Sequence, residues 1–151
     1  LIVYDFAQAK NFNVGRARAR GVEAVFRQEF GSRVGVDVGY TYLDSEDLVT
    51  GEALLRRPRH RGFLSLALRP LSGLTVSPRA TFVGSRRDAN PATGIHFDNP
   101  SYVRYDLFAS FAIGRIAPYV RLENLTDRRY DEVAGYPAAH RRFVGGIEAG
   151  F

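Results

Sequence analysis

One feature constrains this chain above all others: its apolar residues recur at every second position, over segment after segment. From Val34 the apolar set is Val34, Val36, Val38, Tyr40 and Tyr42, with Gly35, Asp37, Gly39 and Thr41 between them. From Val103 it is Val103, Tyr105, Leu107, Ala109, Phe111 and Ile113; from Phe143 it is Phe143, Gly145, Ile147, Ala149 and Phe151. His60, Gly62, Leu64, Leu66 and Leu68 alternate with Arg61, Phe63, Ser65, Ala67 and Arg69, and Leu74, Val76, Pro78, Ala80 and Phe82 with Thr75, Ser77, Arg79, Thr81 and Val83. Successive side chains of a strand point to opposite faces, so each segment has one apolar and one polar face. A helix would need the 3.6-residue period instead.

The pattern predicts an all-β fold, an antiparallel up-and-down meander of about eight strands. Seven full strands and one partial one fall near 1–5, 12–30, 33–44, 58–70, 73–86, 102–114, 117–125 and 141–151. In the second, Gly21 separates Arg16, Arg18 and Arg20 from Val22, Ala24 and Phe26, which suggests a bulge. Pro78, in mid-strand, predicts a bulge or an irregularity.

Connections alternate in length. Gly31-Ser32, Pro70 to Gly73 and Gly114 to Ile116 read as tight turns, whereas 45–57, 87–101 and 126–140 are long and rich in Asp, Asn, Pro, Gly and Arg. Short turns at one end and long polar loops at the other fit the meanders of outer-membrane barrels; a soluble sandwich could share the alternation, but its loops need not sort by length between two ends. Strand length agrees: roughly 11 residues at about 3.3 Å each, tilted about 40°, rise on the order of 28 Å, close to the apolar band of such barrels. Tyr40, Tyr42, Phe82, Tyr102, Tyr105 and Phe143 gather toward the long loops, Phe30 and Phe151 toward the short turns, as two interfacial girdles.

The net charge is +5, and Lys10 is the only lysine. A basic balance raises nucleic acid as a partner. However, Arg61, Arg69, Arg79, Arg104 and Arg121 alternate with apolar residues, which fits a polar barrel interior and speaks against a nucleic-acid patch. On the lipid side an arginine costs roughly 2–4 kcal/mol at midplane. The carboxylates Asp37, Asp106, Glu123 and Glu148 share the polar faces, and ion pairs with Arg61, Arg79, Arg104 and Arg121 are expected. No G-x-S-x-G is present, and nothing in the carboxylate spacing selects for catalysis. His60, His96 and His140 each stand apart; His96-Phe97-Asp98 is the most metal-like pair, in an external loop. The reading is not an enzyme, with no metal site and no cofactor. With no Cys, disulfides and thiolate metal sites are excluded. The chain opens at Leu1 inside an apolar run and reads as a piece of a longer one.

The closing stretch, NLTDRRYDEVAGYPAAHRRFVGGIEAGF (Asn124 to Phe151), resembles the C-terminal end of TonB-dependent outer-membrane receptors. Asn124, Leu125, Asp127, Arg128, Arg129, Tyr130, Gly135, Tyr136, Pro137, Arg141 and Phe151 match the family pattern; Thr126 replaces its usual Phe. NVGRARARGVEA (Asn13 to Ala24) and LLRRPRHRG (Leu54 to Gly62) are similar to earlier strands of the family, and Leu-Leu-Arg-Arg is shared with its cobalamin receptors. The resemblance implies that residues 1–151 are the C-terminal part of a 22-stranded transmembrane barrel in the outer membrane of a Gram-negative bacterium. The plug domain and TonB box lie outside these residues.

Function and partners follow from the resemblance as expectations. They are active import of a scarce metal chelate, cobalamin first and a ferric siderophore as the alternative, with outer-membrane lipid around the barrel and energy from the TonB complex acting through the plug. Arg56 is implied as a substrate contact. Arg86, Arg87 and Tyr136 are further loop candidates, and a tyrosine contact of cobalamin receptors is replaced near Pro91. Gly135, Tyr136, Pro137, Arg141, Phe143 and Phe151 form the implied C-terminal box and the signal read by the barrel-assembly machinery. The alternative of another class is a stand-alone eight-stranded structural or adhesive barrel.

Overall fold

The computed structural model describes residues 16–150 together with the backbone of two short strands upstream. These are β1 (Ile2–Asp5) and β2 (Lys10–Asn13), which pair only with each other. Next come β3 (Ala17–Phe30), β4 (Val34–Asp47), β5 (His60–Leu68) and β6 (Leu74–Val83), then a small hairpin, β7 (Arg86–Ala89) with β8 (His96–Asn99). β9 (Tyr102–Phe111) and β10 (Ile116–Glu123) follow, then a second small hairpin, β11 (Asp131–Val133) with β12 (Tyr136–Pro137), and finally β13 (Arg142–Ala149).

The main sheet has seven strands in the order β13-β10-β9-β6-β5-β4-β3, every one antiparallel to its neighbours. It is an open meander, one strand fewer than the eight expected. Ile2–Asp5 pairs with Lys10–Asn13, whose last two residues fall within the expected second strand, and the main sheet includes neither.

Directly paired residues share a face, so the registers carry one parity across the whole sheet. Phe26 faces Val38, Val38 faces Leu64, Leu64 faces Ala80, and Ala80 faces Tyr105. Leu107 faces Leu122, and Leu122 faces Phe143. Within the described strands, every apolar set named from the alternation falls on this outward face. Its residues are open: Phe26, Leu64, Phe143 and Ile147 are 56%, 44%, 67% and 69% exposed. Among the described residues nothing packs over this face, which suits a hydrocarbon solvent. Among the described residues no helix is long and apolar enough to cross a membrane.

Two expected irregularities resolve differently. The β3–β4 ladder runs unbroken from Phe30↔Val34 to Ala17↔Asp47, so there is no bulge at Gly21. Arg18 and Arg20 keep the parity of Val22 and Phe26; what changes is height along the strand. Gly21 is needed for close approach, since a Cβ there would meet the Tyr42 carbonyl oxygen at 2.1 Å. At Pro78 the β5–β6 ladder lapses between Ser65↔Arg79 and Leu68↔Val76 and resumes in the same register. Proline offers no N–H on that side.

The short connections turn through Gly31, Gly73 and Gly114, each with a left-handed backbone (φ 60°, 83° and 61°). Glycine reaches that region without a Cβ clash. Buried apolar residues sit at the opposite end: Leu54, Val83, Ala89 and Ala134 belong to the long loops or the strand tip beneath them.

Candidate functional site

The three long connections are 48–59, 84–101 and 124–141, and the meander brings all three to one end. They are tied to one another through Asp88, which is 0% exposed. Its Oδ1 accepts Arg56 Nε at 2.9 Å and the Ala89 amide at 2.9 Å, and its Oδ2 accepts the Ala134 amide at 2.8 Å and Asn99 Nδ2 at 3.4 Å. One carboxylate thus takes donors from each of the three loops. Burial alone would push its pKa up; the amides of Ala134 and Ala89 and the Arg56 guanidinium outweigh this and hold it below the ordinary carboxylate range.

The three candidate arginines all meet here. Arg56 has a left-handed backbone (φ 61°), donates its amide to the Arg87 carbonyl at 2.7 Å and spends Nε on Asp88. Its side chain is still 46% exposed, so the terminal nitrogens face solvent. Arg86 is 6% exposed and donates Nη2 to the carbonyls of Asp131 and Glu132. Arg87 pairs with Glu52 at 2.8 Å. Arg86 and Arg87 therefore bind loop to loop, while Arg56 does so and keeps an open side.

The last loop is closed at its base by the Asn-Leu-Thr-Asp turn. Asn124, 2% exposed and left-handed (φ 52°), donates Nδ2 to the carbonyls of Arg128 (3.0 Å) and Ala139 (3.2 Å) and accepts the Arg128 amide (2.9 Å). Its own amide reaches Asp106 Oδ1 at 3.0 Å. Asp127 accepts the Arg141 amide at 2.9 Å and contacts His140 Nδ1 at 3.1 Å; these contacts lower its pKa. Gly135 donates to Asp131 Oδ2 at 3.1 Å and has a left-handed backbone (φ 79°), with Pro91 of the middle loop beside it. Pro137 pairs with Asp131, and Tyr136 is 67% exposed. Phe143 lies on the outward face; Phe151 lies outside the described residues.

Under this loop, on the inner face, is an open cleft of about 540 Å³. Its walls include Arg104, Glu123, Arg142, Tyr130, Tyr136 and His140. Tyr102, expected in the outer girdle, is on the inner parity and stacks on Tyr130 with ring centroids 3.9 Å apart. Tyrosines cluster at the loop end on both faces, so proximity to the loops did not reveal which face each one takes.

The inner face is polar as expected, but most partners differ from those expected. Arg104 pairs with Asp106 at 3.0 Å. Asp37 pairs instead with Arg27 (2.9 Å), and Glu123 with Arg142 (2.6 Å). Arg79 lies over the Phe63 ring at 4.2 Å and Arg121 over Phe108 at 6.0 Å. Partners are set by register, and register depends on turn geometry that parity leaves open. Among the described residues no group of three or more His, Asp or Glu is placed to hold a metal. Asp88 and Asn99 were missed by the sequence reading; the available signal was two short polar residues inside one long loop, too common to stand out.

Residues 1–126 match the family described as TonB dependent receptor-like, beta-barrel. Among solved structures, the siderophore receptor PiuA from Acinetobacter baumannii is 24% identical with a TM-score of 0.76, over 93% of this chain and 23% of that one. The ferric-catecholate import receptor Fiu from Escherichia coli K12, in its closed form, is 19% identical with a TM-score of 0.78, over 99% and 23%. The ferripyoverdine receptor of the Pseudomonas aeruginosa outer membrane is 22% identical with a TM-score of 0.74, over 88% and 19%. The chain therefore spans about a fifth of the length of these receptors. Their shared fold, the family match and the outward apolar face agree: this chain belongs to the TonB-dependent receptor β-barrel family.

Proposed function

We propose that the chain is the C-terminal wall and part of the ligand-capturing rim of an outer-membrane import receptor for a ferric siderophore. The observation that carries this is the cleft on the inner face, roofed by loops that Asp88 ties together, in a chain of this receptor family. Ligand settles against the rim and then passes along the polar inner face. The driving energy comes from a TonB complex acting on a plug outside these residues. Assembly in the outer membrane relies on the C-terminal box and Phe151.

The siderophore reading replaces cobalamin as the first choice. The receptors named above are described as binding or importing siderophores. Cobalamin rested on Leu54-Leu55-Arg56-Arg57 alone, with Pro91 where that subtype has a tyrosine. Arg56, with its terminal nitrogens in solvent, and the exposed Tyr136 are the proposed contacts; Arg86 and Arg87 support them from behind.

The test is binding to the full-length receptor in detergent, read by fluorescence quenching. A ferric catecholate, a ferric hydroxamate and cyanocobalamin are titrated separately. Saturable quenching by a ferric siderophore, weakened several-fold in Arg56→Ala and Tyr136→Ala, is the expected result. Quenching by cyanocobalamin alone overturns the assignment.

A further inference from the structure

We propose that the ferric siderophore taken up along this wall is an uncharged trihydroxamate chelate and not a triscatecholate trianion. The inference deepens the import reading above and rests on it. It comes from the charges that face the inner cleft and its rim. Two guanidiniums, Arg104 and Arg142, line the cleft. Each already has a carboxylate: Arg104 Nε meets Asp106 at 3.0 Å, and Arg142 Nη2 meets Glu123 at 2.6 Å. The remaining basic residue of the wall, His140, is turned to Asp127 at 3.1 Å. A further carboxylate, Glu132, lines the same cleft, is exposed, and has no cationic partner among the described residues. Acid is therefore in excess there. The rim repeats the pairing. Asp88 holds Arg56 Nε at 2.9 Å, Glu52 holds Arg87 at 2.8 Å, and the enclosed Arg86 donates to main-chain carbonyls of the last loop.

The two chelate classes differ in charge before they differ in shape. Ligands bind a metal in deprotonated form. A catecholate loses both protons, so three of them around Fe(III) make a trianion. A hydroxamate loses a single proton, so three of them make a neutral complex. A guanidinium paired with a carboxylate presents a dipole, whose field falls off faster than that of a lone charge. A trianion entering the cleft would leave water, meet the unpaired Glu132 carboxylate and find no free cation to offset that loss. A neutral chelate meets no such repulsion. It asks for hydrogen-bond donors to its hydroxamate oxygens and for apolar surface along its connecting chain. The solvent-facing N–H groups of Arg56 and the open Tyr136 side chain supply the donors. Val133, Pro137 and Ala138 supply the apolar surface. With Asp88 behind it, Arg56 brings donors without surplus charge.

The experiment varies charge on one scaffold, with the full-length receptor in detergent and fluorescence quenching as the readout. The probes are the ferric complexes of a linear trihydroxamate whose terminal amine is either acetylated, giving a neutral chelate, or succinylated, giving an anionic one. Ferric enterobactin serves as the triscatecholate. Wild type should bind the acetyl form about tenfold more tightly than the succinyl form and roughly a hundredfold more tightly than the triscatecholate, the scale of like charges brought together in a binding site. Glu132→Gln should shrink the acetyl-to-succinyl ratio severalfold, and Glu123→Gln, which releases Arg142, should shrink it further. Equal binding of the two trihydroxamates by wild type, or tighter binding of the triscatecholate, overturns the trihydroxamate assignment and leaves the import reading standing. A ratio that neither variant moves overturns the assignment as well. Quenching by cyanocobalamin and by none of the ferric chelates overturns the import reading and this inference with it. The wild-type series needs no variant, and heat-modifiable gel mobility confirms that each variant is folded.

Discussion

The sheet and the loops above it both use ion pairs, but in opposite settings. On the inner face of the sheet, Arg27 and Asp37 meet with side chains 74% and 27% exposed. In the loops, Asp88 is fully enclosed and meets donors from three separate segments. In the sheet, position comes from backbone ladders and from the outward face; its polar pairs add little, because water screens them. In the loops, no ladder spans the three segments, and one desolvated carboxylate supplies the order. Enclosed polar groups are costly to leave unpaired, so the loops depend on a few side chains and the sheet on none in particular.

The largest effect should come from the face with no protein cover. Leu64→Arg, in the middle of the outward band, should cost about 2–4 kcal/mol of stability in liposomes, measured by urea unfolding. Ser65→Arg, one residue along on the inner face, should cost far less; equal costs would break the assignment of faces. Next is Asp88→Ala, which leaves two amides and Arg56 without their acceptor and should cost about 2–3 kcal/mol, confined to the loops. Hydrogen exchange should rise in 84–101 and 126–140 while the sheet stays protected; a global change would show that loops and sheet unfold together.

Acid should reproduce part of that loss. The pKa of Asp88 is depressed in the folded loops, so its contribution is present above the ordinary carboxylate pKa and is lost as pH falls through the depressed value. Spin labels on the first and last long loops should separate only in acid, and Asp88→Asn should flatten that pH dependence. Asn124→Ala should cost about 2 kcal/mol, from lost hydrogen bonds and a left-handed backbone that alanine resists. Smallest is Arg27→Ala, under about 1 kcal/mol by urea unfolding.

These contrasts also explain what could be read beforehand. The faces of most sheet strands were legible, because period 2 is written locally and burial in lipid enforces it; at β3 the run Arg16, Arg18 and Arg20 hid a parity that continues unbroken through Gly21. Strand ends were less so: β4 continues to Asp47, past 44, because Ala17–Ala19 extends to pair with it. Tyr102 was assigned to the wrong face because aromatics serve both as belt and as loop support. Arg56, Arg86 and Arg87 were named from the sequence as ligand candidates, and the structure places them where the three loops meet, yet Asp88, which binds Arg56, carries no local mark. Two of its four donors come from residues 32 and 46 positions away, beyond the reach of any short-range pattern.

The Asn-Leu-Thr-Asp turn has a consequence for how the final hairpin finds its alignment. Alternation forbids a slip of β13 by one residue, which would turn Phe143 and Ile147 inward. It is blind to a slip of two, which keeps every apolar ring in lipid. Such a slip would carry Ala139 and Arg141 away from Asn124 and Asp127, breaking the bonds that close the loop. Two small polar side chains thus remove an ambiguity of two residues that the whole greasy surface leaves standing.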